Sequence, residues 1–524
     1  MFGFSNLKHS TRIEFYRKEL LLLFCLSFLI FNYIIINTLI LNIKNSILSS
    51  TTIQYEEKEE EELVVEWSSD WESKWKDLDC ERIFGGDFVY AATNKIQIGD
   101  PLKEENLPMD CLSIQNRNGM NKYWNKKTTK EEKNFPLAFT RVVYKDYLLL
   151  EIELALHYTP ENWYCYVVDS KSSPLFYSRL QRLAKCFPNI IVAEKRFNIS
   201  RAGHNTNNAM IECANILAKP ERRWNYLINL QNHDIQAKTN AEMVRIFTLL
   251  DGANDIEICV NSDADERIRY YLINFIWSFE ELKLYKNDSK NRGESQNIFG
   301  INLPKILTIS KGYSAASLSR AFVDFITNEL NLEKLLEQLN KAEFGVDEHL
   351  WQSLSISDNL NAPGGFTEQC YVFGYTTPFI TRLLKIIGCK FGLCIRGGNI
   401  ENIFTIIWRP DFGIYIKDTN IKYALWGSTN CLSGSIRHDV CVFGLEDLTS
   451  ENIFNIPHLF INKMMPGYDF GVIKCWHKKL KERQKIKSER KLNLEYYKNW
   501  PQTIYNQMRR RNKGTIKFSE LKCK

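Results

Sequence analysis

The sequence predicts an α/β domain with a mostly parallel sheet flanked by helices, preceded by a single transmembrane helix. Two observations carry this. A nearly unbroken apolar run lies near the N-terminus, and from residue 135 buried strand patterns alternate with helix patterns. The chain has 524 residues, 44% hydrophobic and 13% aromatic, enough for one large core or a core with a subdomain.

Residues 1–19 read as a short cytoplasmic tail. Residues 20–43, LLLLFCLSFLIFNYIIINTLILNI, contain no charge. As a helix they span about 36 Å, enough to cross a bilayer with tilt. Lys8, Arg12, Arg17 and Lys18 precede the run, and the acidic stretch EEKEEEE at 56–62 follows it. The positive-inside rule then places everything after residue 44 on the lumenal side. A cleaved signal peptide is the competing reading, but no A-x-A-like site follows the run. Residues 44–75 are acidic and lack apolar periodicity, as expected of a stem. The 14 cysteines are scattered and form no CxxC pairs, which favours disulfides in an oxidising compartment over a zinc site. Asn198-Ile-Ser and Asn287-Asp-Ser are glycosylation acceptor triplets on the same side.

The globular part, 76–477, reads in order. FPLAFTRVVY (135–144) is a buried strand, YLLLEIELALHY (147–158) a helix and NWYCYVVD (162–169) a second strand. PLFYSRLQRLAKCF (174–187) is a helix, NIIVAE (189–194) a third strand, NNAMIECANILAK (207–219) a helix and WNYLINLQNHD (224–234) a fourth strand. Such β-α-β alternation gives a parallel sheet covered by helices. Ligands in such sheets sit at the carboxyl ends of the strands, where Asp169 and Asp234 fall. Asp169 reads either as a nucleotide ligand or as the N-cap of the next helix. No GxGxxG follows the first strand and no GxxxxGK[ST] occurs, so the usual dinucleotide and P-loop devices are absent. Residues 478–524 hold 16 Lys/Arg against 4 Asp/Glu, leaving the rest of the chain near −6. This extension reads as a solvated basic helix. Without an interleaved aromatic pattern it implies no nucleic-acid partner.

Seven segments, in order, resemble the core 2/I-branching β-1,6-N-acetylglucosaminyltransferase family (glycosyltransferase family 14). They are FPLAFTRVV (135–143), WYCYVVDSK (163–171), WNYLINLQNHDIQAKTNAEMVR (224–245), GYSAASLSRAFV (312–323), VDEHLWQSL (346–354), VCVFGLEDL (440–448) and HLFINK (458–463). The resemblance implies a GT-A-like sheet, a Golgi membrane enzyme of type II topology, and transfer of N-acetylglucosamine from UDP-GlcNAc to an O-glycan acceptor without a metal or other cofactor. It also implies bridges Cys80–Cys475, Cys111–Cys186, Cys165–Cys213 and Cys431–Cys441. Cys389 and Cys394 are close enough in sequence for a fifth, and Gln231 stands where the family has an unpaired cysteine.

By the same resemblance Glu348 is the catalytic base. Its setting beside Leu350 and Trp351 suits a carboxyl tuned by burial, and its bland reading is a surface carboxylate in a helix's first turn. Val142, Tyr144 and Asp169 are expected at the uridine. Lys463 is expected at the diphosphate, with an Arg beside it. Counting back from Cys441 lands on His438, with Arg437 adjacent, because the Cys431–Cys441 loop is one residue longer than expected. A one-residue offset on a strand turns a side chain to the other face. Arginine suits the place because its planar donors fork onto phosphate oxygens. Arg201 replaces a family tyrosine near the third helix. Glu257 and Trp426 match positions that hold the acceptor sugar, although Trp426 also suits a core. Asp263-Ala264-Asp265 resembles the metal-binding DxD of other GT-A enzymes. Two other functions fit the same residues: a relative using another donor, such as a peptide O-xylosyltransferase, and a non-catalytic lumenal glycan-binding protein.

Overall fold

Apolar strands separated by helices build a six-stranded sheet in the computed structural model. The structure describes residues 76–97, 107–117, 119–120, 128–258, 275–297, 300–369, 422–425, 430–485 and 492–512. All belong to the unit Ser68–Lys524, one of two in the chain. The expected anchor 20–43, the stem 44–75, Asp263, Asp265, Trp426, and Cys259, Cys370, Cys389, Cys394 and Cys523 lie outside the described residues. Among the described residues no helix is long and apolar enough to cross a membrane.

In chain order the strands used below are β1 (Leu137–Val143), β2 (Trp163–Val168), β3 (Ile190–Val192), β4 (Tyr226–Gln231), β5 (Ile235–Gln236), β6 (Asp255–Ile256), β7 (Ala316–Ser319), β8 (Lys422–Tyr423), β9 (Ile436–Arg437), β10 (Val440–Cys441) and β11 (Phe460–Ile461). The helices used below are α1 (Tyr147–His157), α2 (Pro174–Lys185), α3 (Thr206–Leu217), α4 (Asn240–Leu250), α5 (Arg320–Asn328), α6 (Leu350–Ile356), α7 (Phe470–Lys485), α8 (Leu494–Lys498) and α9 (Pro501–Arg511).

The main sheet runs β3-β2-β1-β4-β7-β6. The first four strands are parallel. β7 is antiparallel to both β4 and β6. Every residue of β1 is buried, as a strand covered on both faces requires. Its alternation divides the two faces. Ala138 and Val142 join Cys165, Val167 and Leu227 in a core with Met210, Cys213 and Leu217 of α3. On the other face the Phe139 ring lies 4.6 Å from that of His157 in α1. Because α1 is buried all round, its carboxylates need partners. Glu151 pairs with Arg117 at 2.8 Å, and Glu153 lies 3.5 Å from Arg141.

Local signals explain the helix ends. Pro174 opens α2, and Ser173 caps it by accepting from Phe176 N. This corrects the capping alternative for Asp169, which lies four residues too early. A capping box between Thr239 and Glu242 starts α4. The fourth strand ends at Gln231. A turn over Asn232–Asp234 leads to β5, which joins β11 and β8 in a small second sheet.

All four implied disulfides are present: Cys80–Cys475, Cys111–Cys186, Cys165–Cys213 and Cys431–Cys441. The solvated reading of the extension needs correction. Tyr497, Trp500 and Tyr505 are buried, and Arg483 at the end of α7 pairs with Glu242 of α4 at 2.6 Å. The segment is basic on one side and apolar on the other, so its charge count concealed a packing face.

The Cys165–Cys213 bridge ties β2 to α3 across the core. Its joint replacement by Ala is expected to cost about 2–4 kcal/mol, read as a lower midpoint in urea unfolding of the purified chain. An unchanged midpoint would show that the bridge adds nothing to the packed core.

Candidate functional site

The carboxyl ends of β1 and β2 form the floor of the candidate site. Val142 is nearly buried there, and Tyr144, just past the strand, is 39% exposed. Tyr144 N donates to Asn232 Oδ1 at 2.8 Å, fixing the turn after β1 to the turn after β4. Asp169 N donates to Val143 O at 2.9 Å. The Asp169 carboxylate accepts from Lys171 N at 2.9 Å and from Lys171 Nζ at 3.0 Å. Lys171 Nζ also donates to Asn198 Oδ1 at 2.7 Å, so the first acceptor triplet lies beside the strand end. Asn287, the second, is exposed and caps a short 3₁₀ turn. Asp234 serves the framework: it is fully buried, accepting from Gln231 N at 2.7 Å and from Asn462 Nδ2 at 2.8 Å.

Turn chemistry gives Arg437 and His438 different places. Arg437 pairs with Val440 across the β9–β10 hairpin. His438 and Asp439 form its two-residue loop, at φ 52° and 59°. Positive φ at both central residues is the type I′ pattern that matches strand twist. Arg437 therefore holds a strand position and His438 a turn position. Arg437 Nη1 lies 3.3 Å from Met465 Sδ, and the Arg437 carbonyl accepts from Lys463 Nζ at 3.1 Å. The strand leading to Lys463 is held from two sides: Phe443 N donates to Lys463 O at 2.9 Å, and Asn462 bonds Asp234.

Arg437 reaches the floor. Burial holds the Tyr144 hydroxyl above the ordinary phenol range, while the hydrogen-bonded Arg437 guanidinium pulls it down. His438 is held below the ordinary imidazole range by desolvation and by Arg201, Lys463 and Arg437 around it. His233, beneath Tyr144, is likewise held low by burial, against the pull of Asp146 at 2.7 Å. Arg201, Arg437 and Lys463 thus form one electropositive cluster around His438.

Glu348 reaches this cluster through the chain before α3. It ends a 3₁₀ turn, Val346–Glu348, whose Val346 N donates to Ala202 O at 3.1 Å. Gly203 lies so close that a Cβ there would meet Asp347 Oδ1 at 2.1 Å, and its φ of 90° also demands glycine. Glu348 Oε2 pairs with Lys311 Nζ at 3.0 Å, both side chains being partly exposed. Glu348 O accepts from Gly312 N at 2.9 Å. One residue on, Tyr313 N donates to Glu257 Oε2 at 2.9 Å. Segment 311–313 therefore runs between the two carboxylates. Glu257 itself is buried, and Trp426 cannot be placed beside it because it lies outside the described residues.

Sequence reasoning missed Lys311 and the Asp146–His233 pair. Lys311 precedes GYSAASLSRAFV with no periodic signal of its own. The polar NHD at the end of the fourth strand pattern hinted at the His233 pair.

This arrangement can hold an anion at the strand ends and take a proton at Glu348. Residues 137–376 match the family described as "Branch: Core-2/I-Branching enzyme". The chain is 28% identical over 380 residues to "Beta-1,3-galactosyl-O-glycosyl-glycoprotein beta-1,6-N-acetylglucosaminyltransferase 4" of Mus musculus, covering 72% of this chain and 71% of the relative. The Danio rerio protein of that name is 26% identical over 409 residues, 78% and 83% of the two chains. The Rattus norvegicus protein numbered 3 in that series is 28% identical over 355 residues, 68% and 70%.

A bound diphosphate beside His438 would favour the imidazolium, so its titration is expected to move upward when UDP is added. Histidine-resolved NMR titration of the chain with and without UDP checks this. A His438 midpoint unmoved by saturating UDP would place the nucleotide elsewhere.

Proposed function

We propose that the chain, similar over residues 137–376 to the Core-2/I-Branching enzyme family and to the named N-acetylglucosaminyltransferases, is a glycosyltransferase of that kind and adds β-1,6-linked N-acetylglucosamine to O-glycans. The donor is UDP-GlcNAc, and the acceptor is the 6-hydroxyl of a galactose or N-acetylgalactosamine. The observation that carries the reading is the convergence of Arg437, Lys463 and Arg201 at the carboxyl ends of β1 and β2, with Glu348 on the adjoining loop.

The step is a single in-line displacement. The acceptor oxygen forms a bond to the anomeric carbon while the bond from that carbon to the β-phosphate oxygen breaks. Glu348 takes the acceptor proton, and the electron pair leaves on UDP with inversion at the carbon. Arg437 and Lys463 oppose the charge that develops on the diphosphate, and Arg201 adds to it. Fixed cations supply the positive charge here, which is why the reaction is proposed to run without a metal. Val142, Tyr144 and Asp169 line the place for uridine, and Glu257 and Trp426 are assigned to the acceptor. The four disulfides and the run at 20–43 support a Golgi enzyme of type II topology with its domain in the lumen.

Glu348→Gln keeps the side chain's size and removes the base. It is expected to lower kcat by about 10²–10⁴-fold with UDP affinity unchanged, measured by transfer from labelled UDP-sugars to a panel of acceptors. Lys463→Met is expected to weaken UDP binding by about tenfold or more, read by calorimetry. Chelator is expected to leave transfer intact. Activity abolished by chelator would overturn the metal-free mechanism, and transfer from UDP-xylose in place of UDP-GlcNAc would overturn the donor. UDP binding retained in a chain that transfers no sugar would make it a lectin-like relative.

A further inference from the structure

The C-terminal helix α9 lies outside the residues matched to the family, 137–376, yet it braces the acceptor side. We infer that Gln502 is a positioning residue for Glu257, acting through the edge strand β6. This rests on the assignment of Glu257 to the acceptor.

β6 is the outermost strand of the main sheet. Among the described residues it is two residues long and is paired by β7 alone, Asp255 with Ser317 and Ile256 with Ala316. The groups of an edge strand that face away from its neighbour need partners. Gln502, 2% exposed, donates from Nε2 to Ile256 O at 2.7 Å. That carbonyl belongs to the peptide that joins Ile256 to Glu257, so the hydrogen bond fixes the plane from which Glu257 departs. The Glu257 carboxylate then receives Tyr313 N at 2.9 Å. The next peptide is crowded as well, since a Cβ on Gly312 would meet Glu257 O at 2.0 Å.

The helix is itself firmly held. Asn506 Nδ2 donates to Asp251 O at 2.8 Å, at the end of α4. Arg509 donates from Nη1 to Ala362 O at 3.0 Å, in the turn that follows α6. That turn meets β6 in its own right, because Asn254 N donates to Gly364 O at 2.8 Å. Tyr505 is buried with its ring 5.3 Å from that of Phe366. α9 therefore grips both walls around residues 251–257, and Gln502 is its contact with the peptide before Glu257.

The test compares three variants of the full-length, detergent-solubilised chain: Gln502→Leu, Asn506→Leu and Glu257→Gln. Initial rates are measured with UDP-GlcNAc and a β-1,3-galactosyl-GalNAc aryl glycoside. Gln502→Leu is expected to raise the acceptor KM about fivefold, with the donor KM and kcat within twofold. Asn506→Leu removes an equivalent hydrogen bond from the same helix but away from Glu257, so it is expected to lower thermal stability and leave the acceptor KM alone. Equal rises in acceptor KM from both would show a loosened helix and overturn the role given to Gln502. If Gln502→Leu does not fold, Gln502→Glu takes its place: it keeps the size but loses the amide donor. A raised acceptor KM in Glu257→Gln with an unchanged one in the Gln502 variant overturns this inference alone. An unchanged KM in Glu257→Gln overturns the assignment of Glu257 and this inference with it.

Discussion

The buried carboxylate of Asp234 holds the two sheets in register, and the site depends on that register. Asp234 stands just past β4, where three elements meet. One oxygen accepts from Gln231 N and closes the turn at the strand end. The other accepts from Asn462, the residue before Lys463. Its backbone carbonyl accepts from Arg141 of β1 at 3.1 Å. A fully buried carboxylate is tolerable only when its lone pairs are used. Here their use fixes the residue before Lys463 against the central strands. Arg141 in turn faces Glu153 of α1, whose Oε2 receives Gln236 N at 3.0 Å. Hydrogen bonds thus run from α1 through β1 to the small sheet that leads to Lys463.

On this frame the structure gathers like charges. Desolvation together with Arg201, Lys463 and Arg437 holds His438 below the ordinary imidazole range. Repulsion among like charges is unfavourable in itself, and an anion placed among them would relieve it. Arg437 stays in place because the β9–β10 hairpin is short, closed by a two-residue turn and stapled by Cys431–Cys441. A longer or unbridged loop would let the guanidinium swing toward solvent, where its charge is better hydrated.

Much of this was legible from sequence, for identifiable reasons. β1, β2 and β4 are apolar on both faces, so burial left a continuous signal. β7 was not readable as a strand: ASLS is four small residues, half of them polar, and its place comes from pairing with β4. The basic extension misled because charge was counted over the whole segment, while three aromatic residues on one side decide where it sits. The choice between Arg437 and His438 could not be made by counting, because a register depends on the turn that closes it, and turn type is a property of backbone angles.

The two carboxylates show how fold and specificity divide. The place proposed for the donor lies at the ends of parallel strands, where β1 pairs with β2 and with β4 over five or more residue pairs each. The place proposed for the acceptor lies at the antiparallel end of the sheet, where β6 contributes two pairs among the described residues. Geometry is therefore more tightly determined at the parallel strand ends than at Glu257. Segment 311–313 links the halves, since Gly312 N binds the Glu348 carbonyl and Tyr313 N binds the Glu257 carboxylate. A shift of the edge strand would pass through three residues to the proposed base. A sheet edge placed so close to the chemistry cannot be left frayed, and a helix from outside the family match covers it. Changes in acceptor preference are then most easily reached through the edge and its cover, because the strand ends that hold the nucleotide leave little room to move.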